Sequence, residues 1–261
     1  MPWYVNVSCA QLHGQPSYHS ELESQVVLWE KVEPLEKQAD FCKIRAEDGY
    51  EAWLNENQIT ETNWPHNADS KLFTHPAVTR LYAEPVMNSR SVGDALTGSR
   101  LPVIDYKNDW YQIMLPDGQR AWLTEENFVE LGSLTRNNII DYAGQLMGIP
   151  YHWAGKTPKA FDCSGFTQFI HKMFGIHTRR DAWMQFEDAY AVGEHITDGQ
   201  PGDLLFFSEK KDKITHVGFA LGQGRILHAR GKIKINSLIE GRVDFDAQLV
   251  EDFVAVKTFI K

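Results

Sequence analysis

The pattern of hydrophobic and polar positions divides the chain into two parts with different predicted secondary structure. In the first half, apolar residues alternate with polar ones over short stretches, which is typical of half-buried β-strands. In the segment 41–54, "FCKIRAEDGYEAWL", an Asp-Gly pair interrupts the alternation, and this pair is the turn signal of a β-hairpin. The first half is therefore predicted to be all-β.

An internal repeat organises this all-β part. The segment "DFCKIRAEDGYEAWL" begins at Asp40, and "DWYQIMLPDGQRAWL" begins 69 residues later at Asp109. The two copies agree at Ile44/Ile113, Asp48/Asp117, Gly49/Gly118, Ala52/Ala121, Trp53/Trp122 and Leu54/Leu123. The repeat predicts two small β-barrels, at residues 1–62 and 76–132, each with an inward tryptophan, joined by a polar linker at 63–75.

The remaining segment, residues 133–261, is predicted to be an α+β domain. Ile139, Ala143, Leu146 and Met147 are spaced as on one helix that ends at Gly148, and "FTQFIHKMFG" (166–175) predicts a second helix. The helical spacing of apolar residues does not continue beyond this point, and "PGDLLFF" (201–207) is typical of a buried strand. The segment 216–229 is typical of a hairpin that turns at 222–224. Helices followed by antiparallel strands make an α+β fold.

Composition and charge narrow the possible partners. The chain of 261 residues has 26 basic and 35 acidic side chains, a formal net charge of −9. Such an acidic chain without a basic run disfavours nucleic acid and anionic membranes as partners. No uninterrupted apolar run is long enough to span a bilayer, and the N-terminus does not resemble a secretory signal. A cytoplasmic protein with no obligate protein partner is expected.

The cysteines Cys9, Cys42 and Cys163 are too few for a disulfide framework, and none forms a C-x-x-C pair. Cys9 and Cys42 are predicted to be strand residues of the first barrel. Cys163 lies in "FDCSGF", at the predicted start of a helix, where unpaired N–H groups and the positive end of the helix dipole favour a thiolate. Cys163 is therefore the candidate nucleophile.

A nucleophilic thiol needs an imidazole to take its proton, and the predicted hairpin supplies two. With a three-residue loop at 222–224, His216 and His228 lie diagonally on one face of the sheet, so His216 can act as the base and His228 can orient it. A two-residue loop would shift the register by one and put the two rings on opposite faces.

Four motifs together resemble the NlpC family of papain-like cell-wall cysteine peptidases. They are "LMGIPYHWAGKTPKAFDCSGFTQFIHKMFGI", "RDAWMQ", "PGDLLFF" and "THVGFALGQGRILHA", in the order and spacing of that family over about residues 135–232. The resemblance implies Cys163 as nucleophile, His216 as general base, His228 as its orienting partner and Tyr151 as a helper of the oxyanion site. The upstream modules resemble bacterial SH3-like domains, an arrangement similar to γ-D-glutamyl-L-diamino-acid endopeptidases that recycle murein peptides.

Two departures from the family pattern are visible. Ala154 stands where glycine is usual, and "IHTRRD" stands where the family prefers Leu-Pro-Arg-Asp. Neither departure touches the three catalytic positions, but the second leaves open the roles of Arg180 and Asp181.

The resemblance also implies the substrate, a murein tri- to tetrapeptide with a free N-terminal L-Ala, and a reaction without metal or organic cofactor. Asp162 and Ser164 flank the nucleophile, at the positions where the family recognises the substrate ammonium. Within the repeat, Tyr50 aligns with Gln119 and Glu21 with Arg90, so the barrel itself does not require Tyr50 and Glu21. The resemblance implies a role for them, because the family places an acid and a tyrosine of this module at the substrate amine.

Three other interpretations remain open at this point. The chain could bind cell wall through its SH3-like modules and carry a vestigial catalytic domain. It could be a papain-like amidase or acyltransferase acting on a non-peptide acyl group. Cys163, His216 and His228 could also ligate zinc, but the sequence offers no evident fourth ligand.

Overall fold

The computed structural model describes residues 1–65, 68–73, 77–128, 131–210 and 213–260. The chain forms two compact units, Met1–Glu130 and Leu131–Lys261. The predicted linker at 63–75 and the predicted start of the second barrel at 76 fall partly outside the described residues. The boundary was nevertheless predicted too late, because Asp69–Leu72 is a strand that pairs with Arg100–Val103 in the second sheet.

The first unit is built from antiparallel strands, as the alternating pattern predicts. Its strands are Trp3–Val5 (β1), Cys9–His13 (β2), Leu22–Val27 (β3), Lys31–Gln38 (β4), Phe41–Arg45 (β5), Glu51–Asn55 (β6), Ile59–Glu61 (β7), Asp69–Leu72 (β8), Val78–Tyr82 (β9), Ser91–Leu96 (β10), Arg100–Lys107 (β11), Trp110–Met114 (β12) and Arg120–Thr124 (β13). They form two sheets in the orders β3-β2-β6-β5-β4-β1-β7 and β10-β9-β13-β12-β11-β8.

The two sheets repeat the same hairpin around the Asp-Gly turn. Ile44 pairs with Ala52 in the first copy, and Ile113 pairs with Ala121 in the second. The turn glycines have φ values of +83° and +85°, a conformation that side chains with a Cβ rarely adopt. The tryptophans Trp53 and Trp122 are both buried, as predicted, and Cys9 and Cys42 lie in strands of the first sheet.

One turn differs between the two copies. Trp29 follows β3 with a φ of +64°, and the equivalent position in the second copy is Gly98, with a φ of +95°. A left-handed conformation costs a residue with a Cβ about 1–2 kcal/mol, so glycine is the ordinary choice here. Trp29 nevertheless packs in the hydrophobic core of the second barrel, and its Nε1 donates to the carbonyl oxygen of Met114 at 2.9 Å. These contacts offset the strain and join the two barrels.

The second unit has the predicted α+β composition. Its helices are Arg136–Gly144 (α1), Cys163–Met173 (α2), Ala182–Asp188 (α3) and Ala247–Asp252 (α4), and its strands are Lys156–Thr157 (β14), Ala160–Phe161 (β15), Tyr190–Gly193 (β16), Leu204–Phe207 (β17), His216–Gly222 (β18), Arg225–Arg230 (β19), Lys232–Ser237 (β20) and Phe253–Thr258 (β21). Within the described parts of the chain, none of the helices has both the length and the hydropathy that crossing a membrane requires.

The main sheet of this unit has the order β16-β21-β17-β18-β19-β20, and the apolar face of α2 packs against it. The helix predicted from segment 166–175 is α2. Four of its predicted apolar positions are buried, namely Phe166, Phe169, Ile170 and Met173, whereas Phe174 follows the helix and is half-buried. The prediction for α1 was wrong at its end. That helix stops at Gly144, and Met147 is exposed because it lies in the turn that follows.

Acidification is expected to destabilise this unit partly through His171, which is fully buried on α2. Its Nδ1 donates to the carbonyl oxygen of Thr167, and burial lowers its pKa to about 4. The native state favours neutral His171, so its stabilising contribution is complete above pH 6.5 and lost by about pH 4, up to about 3 kcal/mol.

The measurement is urea unfolding of the native protein and of His171→Leu at pH 7 and at pH 4.5. The variant loses the Thr167 bond at both pH values, but its free energy of unfolding should fall less on acidification. Equal falls for the two proteins would contradict this account.

Candidate active site

Cys163 is the first residue of α2, as predicted. Asp162 caps the helix, because its Oδ1 accepts the backbone N–H of Gly165 at 2.6 Å. Aspartate is among the preferred N-cap residues, since its carboxylate satisfies an N–H group that has no partner within the helix. The cysteine is therefore fixed in the first turn by its own neighbour.

The hairpin that carries the two histidines has the predicted register, but its turn is shorter than predicted. Phe219 pairs with Leu227, so that positions 218 and 228 face each other as predicted. The turn itself contains only two residues, Gln223 and Gly224, which alone would shift the register. An irregularity between Ala220 and Gly222 compensates for the shorter turn.

The two imidazoles meet on one face of the sheet, which confirms the prediction. His216 Nε2 lies 2.8 Å from His228 Nδ1, and His228 Nε2 lies 2.9 Å from Asn236 Oδ1. The ring of Phe207 packs against the ring of His216 with a centroid separation of 5.7 Å. Gly218 leaves the necessary room, because a Cβ at this position would lie 2.6 Å from the Cβ of His228.

The sulfur of Cys163 lies beside the start of β18. It is 3.9 Å from the carbonyl oxygen of Thr215, the residue that precedes His216. Cys163 is 8% exposed, and burial, followed by the charge of Asp162, raises its pKa to about 12. Burial therefore opposes the thiolate that the helix N-terminus is predicted to favour.

The pKa values of both imidazoles are lowered, which favours their neutral forms. Burial lowers the pKa of His216 well below its usual value, and burial also lowers the pKa of His228 to about 4. At neutral pH the resting pair is thus a thiol and a neutral imidazole. A neutral His216 can accept a proton.

Tyr151 lies close enough to Cys163 for the two groups to interact electrostatically. Burial is the main cause that raises the pKa of Tyr151, followed by the charges of Cys163 and Asp162, so its hydroxyl stays protonated. Ala154, which stands where the family usually has glycine, is buried and has a φ of +65°. The turn after Tyr151 therefore keeps the left-handed geometry that glycine normally provides.

Asp162 and Ser164 contact a buried arginine that the sequence left without a role. Arg180 is 1% exposed, and it donates from Nη1 to Asp162 Oδ1 at 3.1 Å and to Ser164 Oγ at 3.0 Å. Its Nη2 donates to the other oxygen of Asp162. The carboxylate of Asp162 is thereby neutralised inside the protein, and the prediction that it receives a substrate ammonium stays a prediction.

The other two predicted substrate residues, Tyr50 and Glu21, lie in the first unit. The hydroxyl of Tyr50 donates to Glu23 Oε2 at 2.9 Å, whereas Glu21 is exposed. Glu23 lies against Gly14, where an added Cβ would fall 2.4 Å from Glu23 Oε1. The repeat comparison could have found Glu23 as well, since its equivalent in the second copy is Val92.

Comparison with known proteins gives matches along the length of the chain. Residues 148–245 match the NlpC/P60 family, residues 77–128 a bacterial SH3 domain, and residues 12–59 a bacterial dipeptidyl-peptidase SH3 domain. The chain is 32% identical over 234 residues to a γ-D-glutamyl-L-lysine dipeptidyl-peptidase of Bacillus cereus, covering 80% of this chain and 68% of that protein. It is 26% identical over 268 residues to dipeptidyl-peptidase 6 of Lysinibacillus sphaericus, covering 95% of each.

Among solved structures, a crystal structure of an NlpC/P60 family protein from Bacillus cereus matches with a TM-score of 0.85 and 25% identity, covering 100% of both chains. The matches confirm the predicted fold class of two SH3-like barrels followed by a papain-like α+β domain. The chain belongs to the NlpC/P60 family of cysteine peptidases.

Proposed function

We propose that this peptidase hydrolyses the γ-D-glutamyl-L-diamino acid bond of murein tri- to tetrapeptides that carry a free N-terminal L-Ala, releasing L-Ala-γ-D-Glu. The observation that carries the proposal is that the sulfur of Cys163, at the start of α2, lies 3.9 Å from the carbonyl oxygen of Thr215, the residue before His216. His216 Nε2 in turn lies 2.8 Å from His228 Nδ1. The names of two relatives, which specify γ-D-glutamyl-L-lysine, support the choice of bond.

In the first step, Cys163 Sγ attacks the carbonyl carbon of the γ-D-glutamyl group. A carbon–sulfur bond forms while the thiol proton moves to His216. His228 keeps the His216 ring in place during this step, the role that an acid or amide plays in other triads.

The oxyanion of the tetrahedral intermediate requires hydrogen-bond donors. The backbone N–H of Cys163 at the start of α2 is one donor in the proposal, and the hydroxyl of Tyr151 is the other. The raised pKa of Tyr151 suits this role, since a phenolate could not donate.

The intermediate then collapses and the diamino acid leaves. Protonated His216 gives its proton to the departing amine, the carbon–nitrogen bond breaks, and an acyl-enzyme remains on Cys163. Water, deprotonated by the now neutral His216, hydrolyses the thioester and frees the thiol. Each of these steps uses only the side chains and backbone of this chain.

Recognition of the substrate amine by Asp162, Ser164, Tyr50 and Glu21 stays a prediction. A buried ammonium needs an acceptor, so the requirement for a free N-terminus can be tested without knowing which residue supplies it. The proposed setting is peptide recycling in the cytosol, because Cys9, Cys42 and Cys163 are all free thiols.

The test compares L-Ala-γ-D-Glu-L-Lys with its N-acetylated form, with products identified by mass spectrometry. We expect L-Ala-γ-D-Glu and free lysine from the first peptide and a rate lower by at least about 100-fold for the second, since its neutral amide cannot satisfy a site built for an ammonium. Equal rates would refute the free-amine requirement. Cleavage of neither peptide, nor of the free-amine peptide with meso-diaminopimelate in place of lysine, by a folded protein would refute the proposed bond.

A further inference from the structure

Asn236, on β20, is held in one orientation by its own hydrogen bonds. It is 9% exposed, and its Nδ2 donates to the main-chain carbonyl of Asp244 at 2.9 Å. A carbonyl oxygen can only accept, so the amino group of Asn236 must face Asp244 and its Oδ1 must face His228.

This orientation determines which nitrogen of each imidazole carries a proton. The amide oxygen of Asn236 can only accept, so His228 Nε2 must be the protonated nitrogen. Neutral His228 then has a lone pair on Nδ1, which lies 2.8 Å from His216 Nε2. That bond requires a proton on His216 Nε2, and the lone pair of neutral His216 is therefore on Nδ1.

We infer that Asn236 is a positioning residue for the Cys163–His216 pair, because its fixed amide sets the tautomers of both histidines and makes His216 Nδ1 the base. The inference rests on the proposed catalytic use of Cys163. When the thiol reacts, its S–H bond breaks, an N–H bond forms at His216 Nδ1, and the positive charge is stabilised through Nε2–H by His228.

The surrounding loop is built to hold the amide. Asp244 has a φ of +62°, a conformation uncommon for residues other than glycine, and its carbonyl accepts both Asn236 Nδ2 and the backbone N–H of Ser237 at 2.9 Å. The backbone N–H of Asp246 in turn donates to the carbonyl of Ser237. Local strain of this kind persists only where the surrounding contacts determine it.

Three charged side chains near the two rings influence their charge, but their influence differs from the direct hydrogen bond that Asn236 makes. Arg230 and Lys234 disfavour a positive charge on both imidazoles, whereas Asp246 favours one on His228. Asp246 is itself paired with Arg230 at 3.1 Å. Among these groups, Asn236 is the one that hydrogen-bonds directly to His228.

The test measures the rate of Cys163 alkylation by iodoacetamide against pH, read at that cysteine by peptide mass spectrometry. It also measures the pH profile of kcat/KM on L-Ala-γ-D-Glu-L-Lys. Asn236→Leu, which removes the acceptor, should lower kcat by about 10- to 100-fold and move alkylation to higher pH. Asn236→Asp, which keeps an acceptor and adds a charge that favours imidazolium, should extend alkylation to lower pH.

Ser237→Ala is the matched control, because its hydroxyl contacts Ile239 in the same loop and not the histidines. Its alkylation profile should follow that of the native protein. A shift equal to that of Asn236→Leu would overturn the inference, because loosening of the loop would then explain both. An unshifted Asn236→Leu profile would also overturn it.

A measurement on the native protein covers the case in which Asn236→Leu does not fold. Nitrogen-15 NMR of the histidine rings should show His228 protonated at Nε2 and His216 protonated at Nε2, and the opposite tautomer in either ring would overturn the inference. Alkylation and NMR need no substrate. A failure of the proposed bond specificity therefore leaves these results interpretable.

Discussion

Replacing Cys163 with serine is expected to lower kcat/KM on L-Ala-γ-D-Glu-L-Lys by at least about 10⁴-fold, without loss of fold. The substitution changes one atom, but a hydroxyl is much harder to deprotonate than a thiol. Removing the nucleophile of a triad costs about as much as removing the triad. Steady-state kinetics with product detection by mass spectrometry gives the ratio, and near- and far-ultraviolet circular dichroism gives the fold.

Cys9→Ser is the matched control, because Cys9 is also a free thiol but lies in β2 of the first barrel. It should retain the native kcat/KM. A Cys163→Ser protein within about 10-fold of native activity would show that another group is the nucleophile, and the proposed mechanism would fail.

Replacing Arg180 with methionine is expected to lower the free energy of unfolding of the second unit by about 3–5 kcal/mol. Arg180 is 1% exposed and Asp162 is 6% exposed, so the substitution leaves a carboxylate buried without its cation. It also removes the donor to Ser164 Oγ. Urea unfolding followed by circular dichroism measures the loss.

A double-variant cycle tests whether the unpaired charge is the cause. Asp162→Asn removes the charge while an asparagine can still cap the helix, so adding it to Arg180→Met should restore part of the lost stability. Additive losses in the double variant would show that packing of the Arg180 side chain, and not the ion pair, accounts for the effect.

Local signals were enough to predict most of the fold. The Asp-Gly turns and inward tryptophans predicted both barrel hairpins, because turn chemistry and strand alternation are properties of neighbouring residues. The helix that begins at Cys163 was predictable for the same reason, since Asp162 is a strong cap. The hairpin register also predicted correctly that His216 and His228 lie on one face of the sheet.

The sequence could not predict features that depend on tertiary contacts. The irregularity between Ala220 and Gly222 restores a register that the two-residue turn alone would shift. No local sequence pattern predicts this irregularity. Nothing in the local sequence distinguishes Asn236 from other strand residues, because its amide is oriented by the carbonyl oxygen of Asp244 in a separate loop. The raised pKa of Cys163 arises from burial, which the helix-start argument did not weigh.

The strained turn at Trp29 has a consequence for how this pair of barrels can change over evolutionary time. A duplicated module ordinarily remains free to be lost, swapped or shuffled, since each copy folds for itself. Here the first copy has Trp29 where the second copy has Gly98, and the side chain of Trp29 makes its contacts in the second barrel. Loss of the second copy would leave Trp29 in its left-handed conformation without the core and the hydrogen bond that offset the strain, so the second copy has become difficult to lose.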